Sequence, residues 1–216
     1  MGKIRAAIFD FDMTLVDSSY AIVDCMNELA AKFGLREMTR ERLLPFLSYT
    51  LVDTWREYWG DAKKEWLDYY TNDVIEHELR DMHLYPNAKR VIETLSSSGV
   101  RLAVASNRRN VKKVLDAVGL TDYFDTLVGV NDVASPKPAP DVILKAAEIL
   151  NVPLDSVVYV GDTDFDITAA KSAPVKGIGM TTGSFTRDKL EKCGAWRVCD
   201  DLLEILPLLG VAKQKW

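Results

Sequence analysis

Short apolar segments without polar alternation recur along the chain, and segments with helical spacing separate them. Such runs are typical of strands that are buried on both faces, as in parallel sheets covered by helices. The predicted strands are Lys3–Phe9, Arg101–Ala105, Thr126–Val130, Val157–Val160 and Lys176–Met180. Apolar residues at helical spacing lie between them, for example in Ala88–Leu95 and Asp141–Leu150. This alternation predicts an α/β fold with a Rossmann-like parallel sheet and helices on both of its faces.

The segment from residue 17 to residue 83 breaks the alternation, because it shows helical spacing only. It holds 10 of the 20 aromatic residues, and its 8 basic and 14 acidic residues give it a net charge of −6. The rest of the chain has 19 basic and 18 acidic residues, a net charge of +1. This shift predicts an all-helical domain over residues 17–83, inserted after the first strand of a catalytic core formed by residues 1–16 and 84–216.

The composition excludes several classes of protein. The chain has 216 residues, of which 48% are hydrophobic and 27% charged, so it is not disordered. Its net charge of −5 and the lack of a basic stripe argue against nucleic-acid binding, and its apolar runs are too short to span a membrane. Three cysteines without pair-like spacing, and no apparent signal peptide, predict a cytoplasmic protein. Both a monomer and a homodimer stay open.

Polar residues follow the carboxyl ends of four predicted strands. They are Asp10 and Asp12, Ser106 and Asn107, Lys137, and Asp162 and Asp166. Because right-handed crossovers bring these strand ends to one edge of the sheet, where ligands bind, we expect the side chains to converge. A single Asp at a strand end is usually a turn residue or a helix cap, but four polar clusters together predict an active site.

The acidic residues of this set suit metal-assisted chemistry on an anion. Asp10 and Asp12 are two residues apart, so in an extended chain one carboxylate can attack while the other exchanges a proton. Asp162 and Asp166 add further negative charge, and mutually repelling carboxylates call for a cation. All-oxygen ligands favour Mg²⁺, which shares its sites with phosphate oxygens. The lysine and the serine of the set supply a positive charge and a donor for an anionic substrate.

The motifs, in this order, resemble those of the haloacid dehalogenase superfamily, specifically its phosphatases with an inserted helical cap, such as phosphoglycolate phosphatases. The sequence FDMTL matches the family's DxDx(T/V) motif, Ser106 the second motif, Lys137 the third, and GDTDFD the acidic fourth. The resemblance covers essentially the whole chain and implies a Mg²⁺-dependent phosphatase acting on small phosphorylated metabolites. One departure is Met13, which stands where the family usually has Gly and whose side chain has to find space close to the site.

The resemblance also implies roles for the acidic residues. Asp10 would be the nucleophile that forms an aspartyl-phosphate, and Asp12 the general acid and base. Asp10, the main-chain carbonyl of Asp12 and Asp162 would hold Mg²⁺, with Asp166 in its inner or outer coordination shell.

The same resemblance predicts that Ser106, Asn107 and Lys137 hold the phosphoryl oxygens. Arg108 and Arg109 follow Ser106 and Asn107 at the start of a helix, where an anion could bind.

Specificity is predicted to come from the helical segment, because the core supplies only groups directed at phosphate. Ser48, Tyr49 and Thr50 lie between two helical stripes, where a loop could point into the cleft. They are the predicted specificity loop, with an ordinary interhelical turn as the alternative.

Three other functions share part of the pattern. A phosphomutase of the β-phosphoglucomutase kind has all four motifs, but it would need cations in the insert to hold a second phosphate. A haloacid dehalogenase needs neither the second Asp nor a metal, because a halide leaves without protonation. A non-catalytic metabolite-binding protein could lose Asp10 or Asp12 without penalty. The sequence therefore favours the phosphatase, with the phosphomutase as the nearest alternative.

Overall fold

The computed structural model describes residues 3–212, so residues 1–2 and 213–216 of the predicted core lie outside the described residues. Its strands are β1 (Ala6–Phe9), β2 (Val16–Asp17), β3 (His83–Leu84), β4 (Arg101–Ala105), β5 (Thr126–Val128), β6 (Val157–Gly161), β7 (Lys176–Met180) and β8 (Arg197–Cys199). Six of them form a parallel sheet in the order β5-β4-β1-β6-β7-β8. The other two, β2 and β3, pair antiparallel as a separate ribbon. The predicted parallel α/β sheet is confirmed.

Helices connect the strands. They are α1 (Ser19–Phe33), α2 (Arg40–Leu43), α3 (Leu51–Trp59), α4 (Lys64–Tyr69), α5 (Ile75–Glu78), α6 (Ala88–Ser97), α7 (Val111–Ala117), α8 (Asp141–Leu150), α9 (Asp164–Ser172), α10 (Arg187–Cys193) and α11 (Ile205–Leu208). A π-helical turn, Tyr70–Val74, joins α4 to α5. Among the described residues, none of the helices combines the length and apolarity needed to cross a membrane.

Both faces of the sheet are buried, which explains why the strands lack polar alternation. Successive side chains of a strand point to opposite faces. In β1, Ala7 and Phe9 pack into one apolar cluster with α6, α7 and α11, whereas Ala6 and Ile8 pack into a second cluster with α8 and α9. All four side chains are fully buried. Helices therefore cover the sheet on both sides.

Three short strands were not predicted from the sequence: β2, β3 and β8. Residues 197–199 form β8 at the edge of the sheet, paired with β7. Asp17 and His83 lie in the segment where helical spacing alone was predicted, yet Asp17 pairs with His83 and Val16 with Leu84. Ladders of two or three residues are too short to produce a periodic pattern. The ribbon of β2 and β3 brings the two ends of the helical segment together.

The five helices between β2 and β3 (α1–α5, residues 19–78), called the helical insert below, have an apolar cluster of their own. Trp55 is fully buried in this cluster, and its ring lies 5.6 Å from that of Tyr70 and 6.4 Å from that of Trp66, between centroids. The indole N–H of Trp55 points at the sulfur of Met26, at 3.1 Å. The abundant aromatic residues of this segment therefore pack its helices together.

Candidate active site

The central strands bring the predicted site residues together. Asp10, Ser106 and Asp162 each stand one residue beyond the end of β1, β4 and β6, which are neighbours in the sheet. The chain runs outward from β1 to β4 and β5, and then returns to the other side of β1 with β6. The order of strands thus reverses at β1, which is where open α/β sheets bind ligands.

Lys137 reaches the same point from the loop before α8. Its Nζ lies 2.9 Å from Asp10 Oδ1 and 2.7 Å from Asp166 Oδ1, and it donates to the Tyr159 hydroxyl at 3.0 Å. Burial by itself would lower the pKa of Lys137, but Asp10 and Asp166 raise it well above its ordinary value. The ammonium therefore stays charged inside the protein and compensates part of the negative charge around it.

Asp10, Asp162 and Asp166 form a buried acidic cluster with oxygens that all lie within 4.8 Å of one another. Burial raises the pKa of Asp10 from 3.8 to about 6 although Lys137 opposes the shift. Burial, together with the charges of Asp166 and Asp10, also raises the pKa of Asp162 well above its usual range. The ammonium of Lys137, paired with Asp10 and Asp166, compensates only part of the charge of three crowded carboxylates. Such a set of oxygens fits a hard divalent cation such as Mg²⁺.

Asp166 differs from the other two because its oxygens are already occupied. Its Oδ2 accepts from the backbone N–H groups of Asp162 (3.1 Å) and Thr163 (2.9 Å) and from the Thr163 hydroxyl (2.7 Å). Its Oδ1 receives Lys137. Asp166 thus closes the first turn of α9 and holds Lys137 in place. Asp162 accepts from the Thr14 hydroxyl through Oδ1 at 3.2 Å, and Asp10 Oδ1 is paired with Lys137.

Two glycines let the backbone approach these carboxylates, and sequence reasoning did not single them out. A Cβ at Gly161 would lie 2.3 Å from Asp166 Cγ, and one at Gly183 would lie 1.8 Å from Asp162 Oδ2. Any side chain at either position would displace an acidic group of the cluster.

Asp12 is held by Arg108. Arg108 Nε and Nη2 donate to Asp12 Oδ2 and Oδ1, each at 2.6 Å, and the Ser18 hydroxyl also donates to Asp12. Arg108 Nη2 lies 2.6 Å from Glu78 Oε1 in the helical insert as well, and the side chains of the three charged residues are no more than 9% exposed. One guanidinium thus joins two buried carboxylates, one from the sheet edge and one from the insert. The sequence indicated Arg108 only as a possible anion ligand and gave no signal for Glu78.

Asn107 is placed between two loops. Its Oδ1 accepts from the backbone N–H of Lys137 at 2.8 Å, and its Nδ2 donates to the carbonyls of Lys137 (3.1 Å) and Ser48 (2.9 Å). The contacts with Lys137 orient the loop that carries this residue, and the contact with Ser48 connects Asn107 to the insert. Its predicted contact with phosphate is not among them and stays a prediction.

Two residues of the predicted specificity loop have further contacts. The ring of Tyr49 stacks on that of Phe165, which follows the acidic motif. Thr50 caps α3, because its hydroxyl oxygen accepts from the N–H of Asp53 at 3.2 Å.

A cavity of about 590 Å³ lies between the insert and the sheet edge. The predicted residues that line it are Asp10, Asp12, Ser48, Tyr49, Thr50, Ser106, Asn107, Arg108, Arg109 and Lys137. Of the acidic cluster, Asp10 lines the cavity, whereas Asp162 and Asp166 do not. Asp10 and the loop of the insert therefore share one space.

A family model described as haloacid dehalogenase-like hydrolase matches residues 7–180. The chain belongs to this family. The match contains all the predicted site residues, so it confirms the resemblance seen in the sequence motifs.

Relatives of this haloacid dehalogenase-like hydrolase carry phosphatase names. The phosphoglycolate phosphatase of Aquifex aeolicus is 32% identical over 183 residues, which are 80% of this chain and 83% of the relative. The pyrophosphatase PpaX of Bacillus mycoides is 26% identical over 210 residues, 96% of this chain and 98% of the relative. The crystal structure of CbbY from Rhodobacter sphaeroides in complex with phosphate is 27% identical, with a TM-score of 0.80 over 94% of this chain and 96% of that one.

Proposed function

We propose that the protein is a Mg²⁺-dependent phosphatase that hydrolyses small phosphorylated metabolites through an aspartyl-phosphate. The observation that carries this proposal is the position of Asp10. Its carboxylate is buried at the end of β1, is paired with Lys137, belongs to the acidic cluster, and lines the cavity. The phosphatase names of the two relatives support the same reaction.

In the first step, an oxygen of Asp10 attacks the phosphorus of the ester, and the bond between phosphorus and the ester oxygen breaks. Asp12, which lines the same cavity, gives a proton to the departing oxygen, so the product leaves as a neutral alcohol. Lys137 and the hydroxyl of Ser106, also in the cavity wall, hold the phosphoryl oxygens while negative charge moves onto them.

In the second step, water attacks the phosphorus of the aspartyl-phosphate and the bond to Asp10 breaks. Asp12, now ionised, accepts the proton from the water, so inorganic phosphate leaves and both carboxyl groups return to their starting states. Arg108 and Ser18 hold the two oxygens of Asp12 in the structure. They fix the direction of a group that has to serve both steps.

Asp10, the main-chain carbonyl of Asp12 and Asp162 would hold the metal, and Asp166 would support them from outside by fixing Lys137 and the start of α9. The bound ion supplies charge neutralisation between the carboxylates and the phosphoryl oxygens.

We also propose that residues 17–83 act as a cap domain over the residues of the core. The ribbon of β2 and β3 joins the insert to the core, and the loop at 48–50 lies on the cavity. Such a lid can exclude water during the reaction and open for product release. The cytoplasmic location remains a prediction.

The test is phosphate release from an aryl phosphate by purified protein. We expect activity with Mg²⁺, loss with EDTA, and recovery when Mg²⁺ is added back. Asp10→Asn keeps the shape of the side chain and removes the attacking charge, so its rate should fall at least about 10³-fold. Asp155→Asn, at an exposed position, is the matched control and should behave as wild type. If folded Asp10→Asn protein kept a tenth of the wild-type rate, Asp10 would not be the nucleophile.

A further inference from the structure

Many of the residues by which the insert lines the cavity are apolar. Each of the five helices of the insert contributes an apolar side chain: Met26, Leu43, Leu51, Leu67 and Ile75. Apolar side chains from five different helices thus line the same cavity, as is typical of a ligand-binding pocket. We call these five residues the apolar wall.

The cavity is larger than a two-carbon phosphate ester needs. Its volume of about 590 Å³ corresponds to roughly 20 water molecules at about 30 Å³ each. It falls in the range of pockets that enclose whole drug-sized ligands, about 300–1,000 Å³. In the proposed function the phosphoryl group lies at Asp10 and Lys137, and the apolar wall lines the same cavity.

Two cations that line this space already have acidic partners. The buried guanidinium of Arg108 is shared between Asp12 and Glu78. Lys113 is paired with Glu76. A carboxylate or a second phosphate on the leaving group would have to compete with these partners.

Two further cations line the cavity at exposed positions. Arg109 donates to the side-chain oxygen of the neutral Asn131 at 3.3 Å, and Lys112 donates to Asp116 at 2.7 Å. Because both contacts are exposed to solvent, the attraction of these cations for an anion is screened.

We propose that the preferred substrate is a phosphate monoester of an uncharged, apolar alcohol or phenol, whose apolar part packs against the apolar wall. This inference rests on the proposed phosphatase function. It also separates the chain from enzymes for small, doubly charged substrates, because apolar side chains from five helices line this space and the buried Arg108 already has acidic partners.

The experiment compares kcat/KM for ethyl, propyl, butyl and hexyl phosphate and for phosphoglycolate, all with saturating Mg²⁺. Each methylene buried against an apolar wall can raise kcat/KM by up to about fourfold. We therefore expect hexyl phosphate to exceed propyl phosphate at least about tenfold. Propyl phosphate should exceed phosphoglycolate, which has a similar length and a carboxylate at its end.

Two isoleucines offer a matched pair of variants. Ile75 belongs to the apolar wall, whereas Ile149 is 48% exposed on α8. Ile75→Asn should remove most of the ratio of kcat/KM for hexyl over propyl phosphate, and Ile149→Asn should leave kcat/KM for both esters unchanged. Ile75→Leu should keep the ratio. Circular dichroism of each variant reports whether it is folded.

The outcomes separate this inference from the proposed function. Hydrolysis of none of the esters would overturn the phosphatase function and the inference with it. Hydrolysis with no chain-length preference, or with phosphoglycolate preferred over propyl phosphate, would overturn the inference alone. So would a hexyl preference that folded Ile75→Asn protein retains in full.

Discussion

The ring of Tyr49 stacks on the ring of Phe165, with centroids 5.3 Å apart and planes 13° apart. Tyr49 lies in the loop between α2 and α3 of the helical insert, and Phe165 lies in the first turn of α9, next to Asp166. The stack therefore connects the loop above the cavity to the acidic motif at the sheet edge. The hydrogen bond from Asn107 to the carbonyl of Ser48 connects the same loop to the core at a second point.

Loss of this stack should impair large substrates more than small ones. Tyr49→Ala removes a ring that both lines the cavity and fixes the loop over it. We expect kcat/KM for the best metabolite to fall at least about tenfold, roughly 1.4 kcal/mol, and the rate on a small aryl phosphate to change much less. Tyr49→Phe, which keeps the ring, should stay close to wild type. Equal losses on both substrates would mean that the loop has no role in specificity.

A double-mutant cycle with Phe165→Ala tests the contact itself. Stacked aromatic pairs contribute about 0.5–1.5 kcal/mol beyond their buried area, so the two substitutions should be non-additive by about that amount. The quantity to measure is the free energy of unfolding by urea. Strict additivity would show that the two rings do not stabilise each other.

The metal should stabilise the fold more at neutral than at acidic pH. The pKa of Asp10 is raised by burial from 3.8 to about 6, and that of Asp162 is raised in the same direction. Lys137 is the cation that faces them, while Asp12 and Asp166 add negative charge. A raised carboxyl pKa stabilises the folded state at low pH, and this contribution is lost as pH rises through about 6.

Bound Mg²⁺ should restore the stability that the folded state loses as pH rises. At about 100 times its Kd, a ligand adds about 2.7 kcal/mol, which corresponds to a rise in Tm of about 5–10 °C for a chain of this size. We expect that rise at about pH 7.5 and a clearly smaller one at about pH 5, where protons occupy Asp10. Thermal unfolding followed by circular dichroism measures it. Asp162→Asn should lose the response and Asp155→Asn should keep it; an equal rise at both pH values would contradict the assignment.

The sequence allows prediction of those parts of the molecule that produce a periodic pattern or a polar residue at the end of a strand. The apolar run at Lys3–Phe9 predicted a strand covered on both faces, which the structure places at Ala6–Phe9, and the polar residues at strand ends predicted the site. The contact between Arg108 and Glu78 has no such signal, because two single charges 30 residues apart show neither spacing nor shared chemistry. The same holds for Gly183, whose need for a small side chain arises only when its loop reaches Asp162.

Removal of Arg108 should destabilise the protein strongly. Arg108→Met leaves the carboxylates of Asp12 and Glu78 buried without their cation. Loss of one partner from a buried charge network typically costs about 3–5 kcal/mol, and we expect a loss of that size in the free energy of unfolding. Chemical unfolding in urea measures it.

Two comparisons identify the cause. Arg108→Met combined with Glu78→Met removes one of the stranded charges and should recover part of the stability. Arg101→Met breaks an ion pair with Asp125 whose side chains are 48% and 35% exposed, so it should cost less than about 1 kcal/mol. A loss for Arg108→Met no larger than that for Arg101→Met would show that the network is not effectively buried.

Met13 offers a test in which two effects oppose each other. Its φ is 55°, in the left-handed region, and its side chain is only 2% exposed, with the Tyr85 hydroxyl 3.7 Å from its sulfur. Met13→Gly relieves a backbone cost of about 1–2 kcal/mol, but it removes a buried side chain whose truncation typically costs about 2–5 kcal/mol. Burial is the larger effect, so we expect Met13→Gly to lower the free energy of unfolding by about 1–3 kcal/mol.

Met13→Leu keeps the buried volume and the backbone cost, so it should change stability by less than about 1.5 kcal/mol. The free energy of unfolding of both variants is measured in urea. A glycine variant more stable than wild type would mean that strain outweighs packing beside Asp12.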